Sequence, residues 1–201
     1  MPAKIFVASS NPGKLREYRE LARATSLALE AIQDFGSLPH FEESAPTFAE
    51  NAAGKALHYS RFAPGPVIAD DSGLVVAALG GAPGVHSARY AGTNATDAQR
   101  VDKLLREMRG KTGGERSARF ICVVALAERG EVRAVISDSA EGQLLASPRG
   151  SGGFGYDPIF FLPHVRKTFA EISGEEKNAL SHRGKAFFKL ARFLAAPHCE
   201  M

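Results

Sequence analysis

Apolar residues in this chain alternate between short contiguous runs and helically spaced stripes, and that alternation predicts most of its elements. Lys4-Ile5-Phe6-Val7-Ala8 reads as a first strand. Beyond Pro12, Leu15, Tyr18, Leu21 and Ala22 recur at helical spacing, with Arg16, Glu17, Arg19, Glu20 and Arg23 around them. Residues 35–46 lack a period and read as a loop. Thr47-Phe48-Ala49-Glu50 has the form of a capping box, opening a helix with Phe48, Asn51 and Lys55 on one face. Pro66-Val67-Ile68 predicts a buried strand, and Leu74-Val75-Val76 resumes after a polar break at Asp70–Gly73.

Further on, Thr96 or Asp97 starts a helix carrying Val101, Leu104, Leu105 and Met108. Residues 118–126 form the strongest strand pattern, and Arg129-Gly130 turns it into Val132–Ser137 as an antiparallel hairpin. Ile159–Leu162 predicts another strand. Ser173-Gly174-Glu175-Glu176 is a second capping box, opening a short helix that Ser181–Gly184 breaks. The last helix places Phe187, Leu190, Ala191 and Leu194 on one face before Pro197. Hairpin and crossover signals together imply an α/β protein with a mixed sheet covered by helices.

A length of 201 residues suits one domain, or a domain with a smaller lobe. No apolar run approaches the roughly 18 residues of a membrane span. Met1-Pro2-Ala3 leads straight into the first strand pattern, so no secretory signal is expected. Cys122 lies in an apolar strand and Cys199 in the tail, without paired spacing. This argues against a disulfide framework or zinc site and for a reducing cytoplasm. The net charge of +3 is small and its cations are scattered, so an anionic small substrate fits as well as nucleic acid.

Four stretches carry candidate chemistry. Ser9-Ser10-Asn11-Pro12-Gly13-Lys14 is a polar strand-to-helix turn that ends on a lysine. It suits phosphate, through backbone N–H groups and the helix dipole, as well as an ordinary helix entry. Asp70-Asp71-Ser72-Gly73 reads as an Asp-rich turn or as a place for a hard divalent cation. Residues 149–158 crowd four glycines around Phe154 and Tyr156, which allows close backbone approach and stacking on a base. His182 beside Arg183 reads as a helix cap or surface histidine, or as a contact for an anion or base.

The order of these blocks resembles the inosine triphosphate pyrophosphatase family. The resemblance rests on Ser10–Lys14, Phe48–Ala52 with Lys55-Ala56, and Ala69–Leu74. It continues through Pro83-Gly84-Val85 with Ser87–Tyr90, Gly152–Phe160, and Glu176-Lys177 with Ser181–Gly184. It spans nearly the whole chain, 1–201, as a single nucleotide pyrophosphatase domain. The fold it implies is a mixed, twisted sheet flanked by helices, with two lobes around a central nucleotide-binding cleft. The activity it implies is Mg²⁺-dependent hydrolysis of ITP, dITP and XTP to the monophosphate and pyrophosphate, in a cytoplasmic homodimer that binds neither nucleic acid nor membrane.

Residue by residue, the resemblance has Ser9, Ser10, Asn11, Pro12, Gly13 and Lys14 hold the triphosphate. Glu42 and Asp71 position Mg²⁺, Asp71 accepts the proton of the attacking water, and Lys55 lies near the phosphates. Ser72 touches the nucleotide. Phe154, Gly155, Tyr156 and Asp157, with Lys177, His182 and Arg183, enclose base and sugar. The family's first loop commonly reads Thr-Gly-Asn where this chain has Ser9-Ser10-Asn11. Keto purines present an acceptor at C6, so Lys177, Arg183 or nearby backbone N–H groups are the candidate specificity donors. The competing reading is a non-catalytic nucleotide or single-stranded nucleic-acid binding module. The acids at 42, 70 and 71 fit that poorly, because carboxylates repel phosphate without a metal. A pyrophosphatase for modified pyrimidine nucleotides is a third reading, disfavoured by the Phe-Gly-Tyr-Asp and Ser-His-Arg blocks.

Overall fold

The computed structural model describes residues 4–196, so Met1–Ala3, Pro197 and Cys199 lie outside the described residues. Along the chain, β1 (Ile5–Val7) leads into α1 (Pro12–Thr25), β2 (Leu29–Ala31), α2 (Phe48–Tyr59) and β3 (Val67–Val76). Then come α3 (Asp97–Glu107), β4 (Ser117–Glu128), β5 (Glu131–Leu144), β6 (Phe160–Leu162), β7 (Lys167–Thr168), α4 (Gly174–Leu180) and α5 (His182–Ala195). The strands form one seven-stranded sheet in the order β2-β1-β3-β4-β5-β6-β7. Strand β1 pairs in parallel with β2 and β3, whereas β6 pairs antiparallel with β5 and β7. The sheet is therefore mixed, as the alternation of hairpin and crossover signals implied.

Local chemistry explains several boundaries. Asn11 caps α1, its side-chain oxygen accepting from the Lys14 N–H, and Pro12 sits where a missing N–H costs nothing. Thr47 accepts from Glu50 N–H at the start of α2, and full capping boxes open α3 at Thr96 and α4 at Ser173. Between β4 and β5, Arg129 and Gly130 both adopt positive φ (51° and 80°), as the type I′ turn of an antiparallel hairpin requires.

The chain divides into two compact units, 4–71 with 122–138 and 183–196, and 72–121 with 139–182. Each has its own core. The first packs Tyr18 and Leu21 of α1 and Phe187 and Leu190 of α5 with Ile68 of β3 and Val124 of β4. The second gathers Leu74, Leu104, Met108, Phe120, Phe160 and Phe169, with the Phe120 and Phe160 rings 4.7 Å apart. Fully burying a side chain of this size stabilises the fold by about 1.5–3 kcal/mol.

Two expectations change. Asp70–Gly73 is not a turn: β3 runs unbroken through it, because nearly every residue from Val67 to Val76 is buried and a covered strand satisfies its backbone by pairing. On α1 the charged Glu17 is buried, opposite Arg183. His182 is no surface histidine and the 181–184 segment no prolonged break. Residues 182–184 form the first turn of α5, and His182 is buried.

Candidate active site

Successive side chains on a strand point to opposite faces, so β3 sends Asp70 and Asp71 into different surroundings. Asp70, only 1% exposed, accepts from Lys14 Nζ at 3.0 Å and from Arg183 Nη2 at 3.1 Å. Its main-chain carbonyl takes a second bond from Lys14 Nζ at 3.2 Å. Arg183 turns Nη1 to Glu17 Oε2 at 2.5 Å. Burial by itself would raise the Asp70 pKa, but Lys14 and Arg183 outweigh it and hold the carboxyl well below the usual range. Cys122 Sγ lies 3.8 Å from the same carboxylate, and burial pushes its thiol pKa far up, which leaves it unreactive.

Asp71 is built differently. Asn51 Nδ2 of α2 donates to its Oδ2 at 3.0 Å. The same amide is clamped to the preceding loop, donating to Ala45 O at 3.2 Å and accepting from Ala45 N–H at 2.9 Å. One turn along α2, Lys55 Nζ meets Glu43 Oε1 at 2.5 Å. Burial raises the Asp71 pKa to about 6. Lys14 and the Asn51 bond pull it down, while Glu43 and Asp70 add to the rise. A buried acid with acidic neighbours is a place where added positive charge is favourable. Among the described residues no group of three or more His, Cys, Asp or Glu side chains is arranged to hold a metal. A cation at Asp71 would thus take other oxygens from substrate and water, as Mg²⁺ commonly does.

The loop before α1 lies in the same unit. Ser9 is buried and its hydroxyl accepts from Asn11 N–H at 3.2 Å, whereas Ser10, Asn11 and Pro12 are exposed at the positive end of the helix dipole. Serine at 9 therefore supplies the hydroxyl that shapes this turn.

In the second unit, Lys177 of α4 is buried and its ammonium is paired with Asp157. That ammonium lies 5.0 Å from the centre of the Phe154 ring and 5.7 Å from that of Phe169. Asp157 also accepts from Phe154 N–H at 2.7 Å, and Asp97 at the start of α3 accepts from Gly155 N–H at 2.7 Å. Gly153 is required here: its φ is 72°, and a Cβ would fall 2.0 Å from Asp157 Oδ2. His182 stacks flat on Phe120, with centroids 4.6 Å apart and planes 7° from parallel.

The structure sorts the sequence-derived candidates. Lys14, Asp71 and Lys55 gather in the first unit with the loop 9–13, and Phe154, Gly155, Asp157, Lys177 and His182 gather in the second. Ser72, half-buried, follows Asp71 on β3. Tyr156 is a core residue whose hydroxyl donates to Ser87 O at 2.9 Å, so it anchors the glycine-rich loop instead of offering a stacking face. Arg183, grouped by resemblance with the base, sits under Asp70 and Glu17. Glu42 is exposed, and it is Glu43 whose charge acts on Asp71. In the glycine-rich loop the N–H groups of Phe154 and Gly155 point at Asp157 and Asp97. Sequence reasoning left Glu17, Asn51 and Asp97 without a role at the site, and Glu43 stood only as the alternative to Glu42 within one acidic pair; Asn51 had a signal, its place on the Phe48–Lys55 face.

Fold and chemistry thus define a mixed-sheet α/β protein with a buried acid–lysine cluster suited to an anionic substrate. A model of the Ham1 family matches residues 5–193, and the chain belongs to that family. It is 50% identical over 187 residues to the dITP/XTP pyrophosphatase of Geobacillus kaustophilus, covering 93% of this chain and 92% of that protein. It is 46% identical over 193 residues to the dITP/XTP pyrophosphatase of Coxiella burnetii, covering 95% and 96%. Among solved structures, a HAM1 protein from Coxiella burnetii superposes with a TM-score of 0.85 at 45% identity, over 96% of this chain and 98% of that one. The Staphylococcus aureus Ham1 protein gives 0.83 at 37% identity, with the same coverage.

Proposed function

We propose that this chain hydrolyses deaminated purine nucleoside triphosphates, dITP, ITP and XTP, to the monophosphate and pyrophosphate, and so cleanses the nucleotide pool. The observation that carries the reading is the setting of Asp71: a buried carboxylate oriented by Asn51, with Lys14 acting on it and the Lys55–Glu43 pair one turn along the same helix. Relatives at about half identity bearing the name dITP/XTP pyrophosphatase supply the substrate class.

In this reading the phosphates fall to the first unit. Lys14, the 9–13 loop and Lys55 bind and neutralise the triphosphate. The donor set fits a hard cation, and Asp71 with Glu43, or with the neighbouring Glu42 inferred from the resemblance, would hold Mg²⁺, which when bound neutralises phosphate charge and draws electrons from phosphorus. Asp71 takes the proton from a water whose oxygen forms the new bond to the α-phosphorus. The bond from that phosphorus to the bridging oxygen breaks, and pyrophosphate carries the electron pair away.

The base falls to the second unit. Phe154 offers a ring face and Lys177 a donor for the C6 oxygen of a keto purine. With adenine that buried donor would confront an amino group, and sites of this kind discriminate by roughly 10⁴. Both units belong to one catalytic domain, acting as a homodimer in the cytoplasm, without nucleic acid as partner. Among the described residues no helix is long and apolar enough to cross a membrane.

Incubation with dITP and Mg²⁺ decides the matter. Stoichiometric dIMP and pyrophosphate are expected. Orthophosphate release, or salt-sensitive binding of single strands without turnover, refutes the proposal.

A further inference from the structure

Asp70 has no part in the reaction above, yet it is the more elaborately held of the two acids. Lys14, Asp70, Arg183 and Glu17 form a linked set of two positive and two negative side chains. Glu17 lies one turn beyond Lys14 on α1, so the set returns to the helix on which it began. The side chains of Asp70, Arg183 and Glu17 are 1%, 3% and 9% exposed, and that of Lys14, the outermost, 14%. Burying four charges is an inefficient way to stabilise a fold, since apolar residues of similar volume do as well or better. Position is what such a set supplies that apolar packing cannot.

Two of the bonds converge on one atom. Lys14 Nζ is held by both the carboxylate and the carbonyl of Asp70, at 3.0 and 3.2 Å. Arg183 fixes that carboxylate from another direction, and Glu17 fixes Arg183. A lysine stem is otherwise free about four torsions, and ordering it on a ligand costs binding energy.

We infer that Asp70 is a positioning residue for Lys14, braced by the Arg183–Glu17 pair, so that the ammonium is set in place before a phosphate arrives. This rests on the phosphate role given to Lys14 above. Asp71 works on the water, whereas Asp70 works only through the lysine.

The test is calorimetric titration of inorganic tripolyphosphate into the metal-free protein, for the wild type, Lys14→Ala, Asp70→Asn and the double variant. Lys14→Ala is expected to weaken binding about tenfold, the range of one charge-assisted hydrogen bond. Asp70→Asn should lose a similar factor, and the double variant should be no weaker than Lys14→Ala alone, because both changes remove the same contact. With dITP, Asp70→Asn should raise KM about tenfold with kcat changed less than about twofold, the signature of lost binding common to ground and transition states. Additive losses, full affinity in Asp70→Asn, or a fall in kcat at constant KM overturn the inference. Full affinity in Lys14→Ala overturns the phosphate assignment instead, so the two failures are distinguishable.

If Asp70→Asn does not fold, ¹⁵N spectra of the wild type settle the point. A held ammonium gives a resolved Nζ signal that vanishes in Lys14→Ala and moves on adding tripolyphosphate. A Lys14 signal averaged with those of surface lysines overturns the inference.

Discussion

The two units handle charge in contrasting ways. In the first, buried and half-buried acids and bases alternate in sign: Lys14 and Arg183 meet Asp70, Arg183 also meets Glu17, and Lys55 of α2 meets Glu43 of the preceding loop. In the second, the buried Lys177–Asp157 pair lies beside the Phe154 and Phe169 rings, His182 lies flat on Phe120, and the other ion pairs, such as Arg149–Glu171, are more exposed. A polyanion needs several cations held apart at fixed places, each kept from collapsing onto its neighbours by an intervening carboxylate. A flat, nearly neutral base needs faces and one or two well-aimed donors. The contrast is the physical form of a division between phosphate chemistry and base recognition.

The sharpest way to break that division is to remove the acid of the first unit. Asp71→Asn keeps the shape and an acceptor for Asn51 but cannot take a proton. Turnover of dITP should fall about 10³-fold, within the span of general-base effects, with circular dichroism unchanged. A loss smaller than tenfold would move the chemistry elsewhere.

A second test asks whether the charges of the first unit really hold one another. Arg183→Met preserves much of the volume and leaves Glu17 buried opposite an apolar side chain. Loss of one partner from a buried ion pair typically costs about 3–5 kcal/mol, and a decrease of that order in the urea-unfolding free energy is expected. In the second unit Lys177→Met should cost less, because Asp157 keeps the Phe154 N–H. Equal losses would erase the contrast.

Selectivity sharpens the other side. In Lys177→Ala the ratio of kcat/KM for dITP over dATP should fall about 10²-fold, part of what a hydrogen-bonding site can supply. Turnover of dITP at saturation should change far less. If the ratio holds, the second unit reads the base by some other donor, since the N–H groups of Phe154 and Gly155 are occupied.

What the sequence made legible follows the same line. Caps at Thr47, Thr96 and Ser173, the turn at Arg129-Gly130 and the stripe of Tyr18 and Leu21 are local signals, and the fold uses them as written. Glu17 sits among charged residues beside the α1 stripe and carries no local mark of burial, which depends on Arg183, far along the chain. Asp70–Gly73 carries good turn chemistry, which lost to burial on both faces and to cations no local window contains. Glu42 and Glu43 share a loop without a period, so only coordinates could tell which one meets Lys55. Asn51 was visible on the right face, but its bond to Asp71 joins elements 20 residues apart.

The smallest effect concerns the neighbouring acids themselves, which should pull stability in opposite directions with pH. Asp70 is held ionised below the usual range, so it contributes stability at neutral pH that is lost as pH falls through the acid region. Asp71 is raised from 3.8 to about 6, so the folded state binds its proton more tightly than the unfolded chain does. Between those values the unfolded chain gives up the proton while the native protein keeps it, and stability falls as pH rises; above about 6 the deficit is constant. A shift of roughly two pKa units corresponds to at most about 3 kcal/mol, and local relaxation reduces it. In EDTA at pH 8, Asp71→Asn should therefore be more stable than the wild type by about 1–2 kcal/mol in urea unfolding. At pH 4.5 the gain should shrink to a fraction of that. A variant equally or less stable at pH 8 would mean that the ionised Asp71 is already compensated without metal, and the asymmetry between the two faces of β3 would be gone.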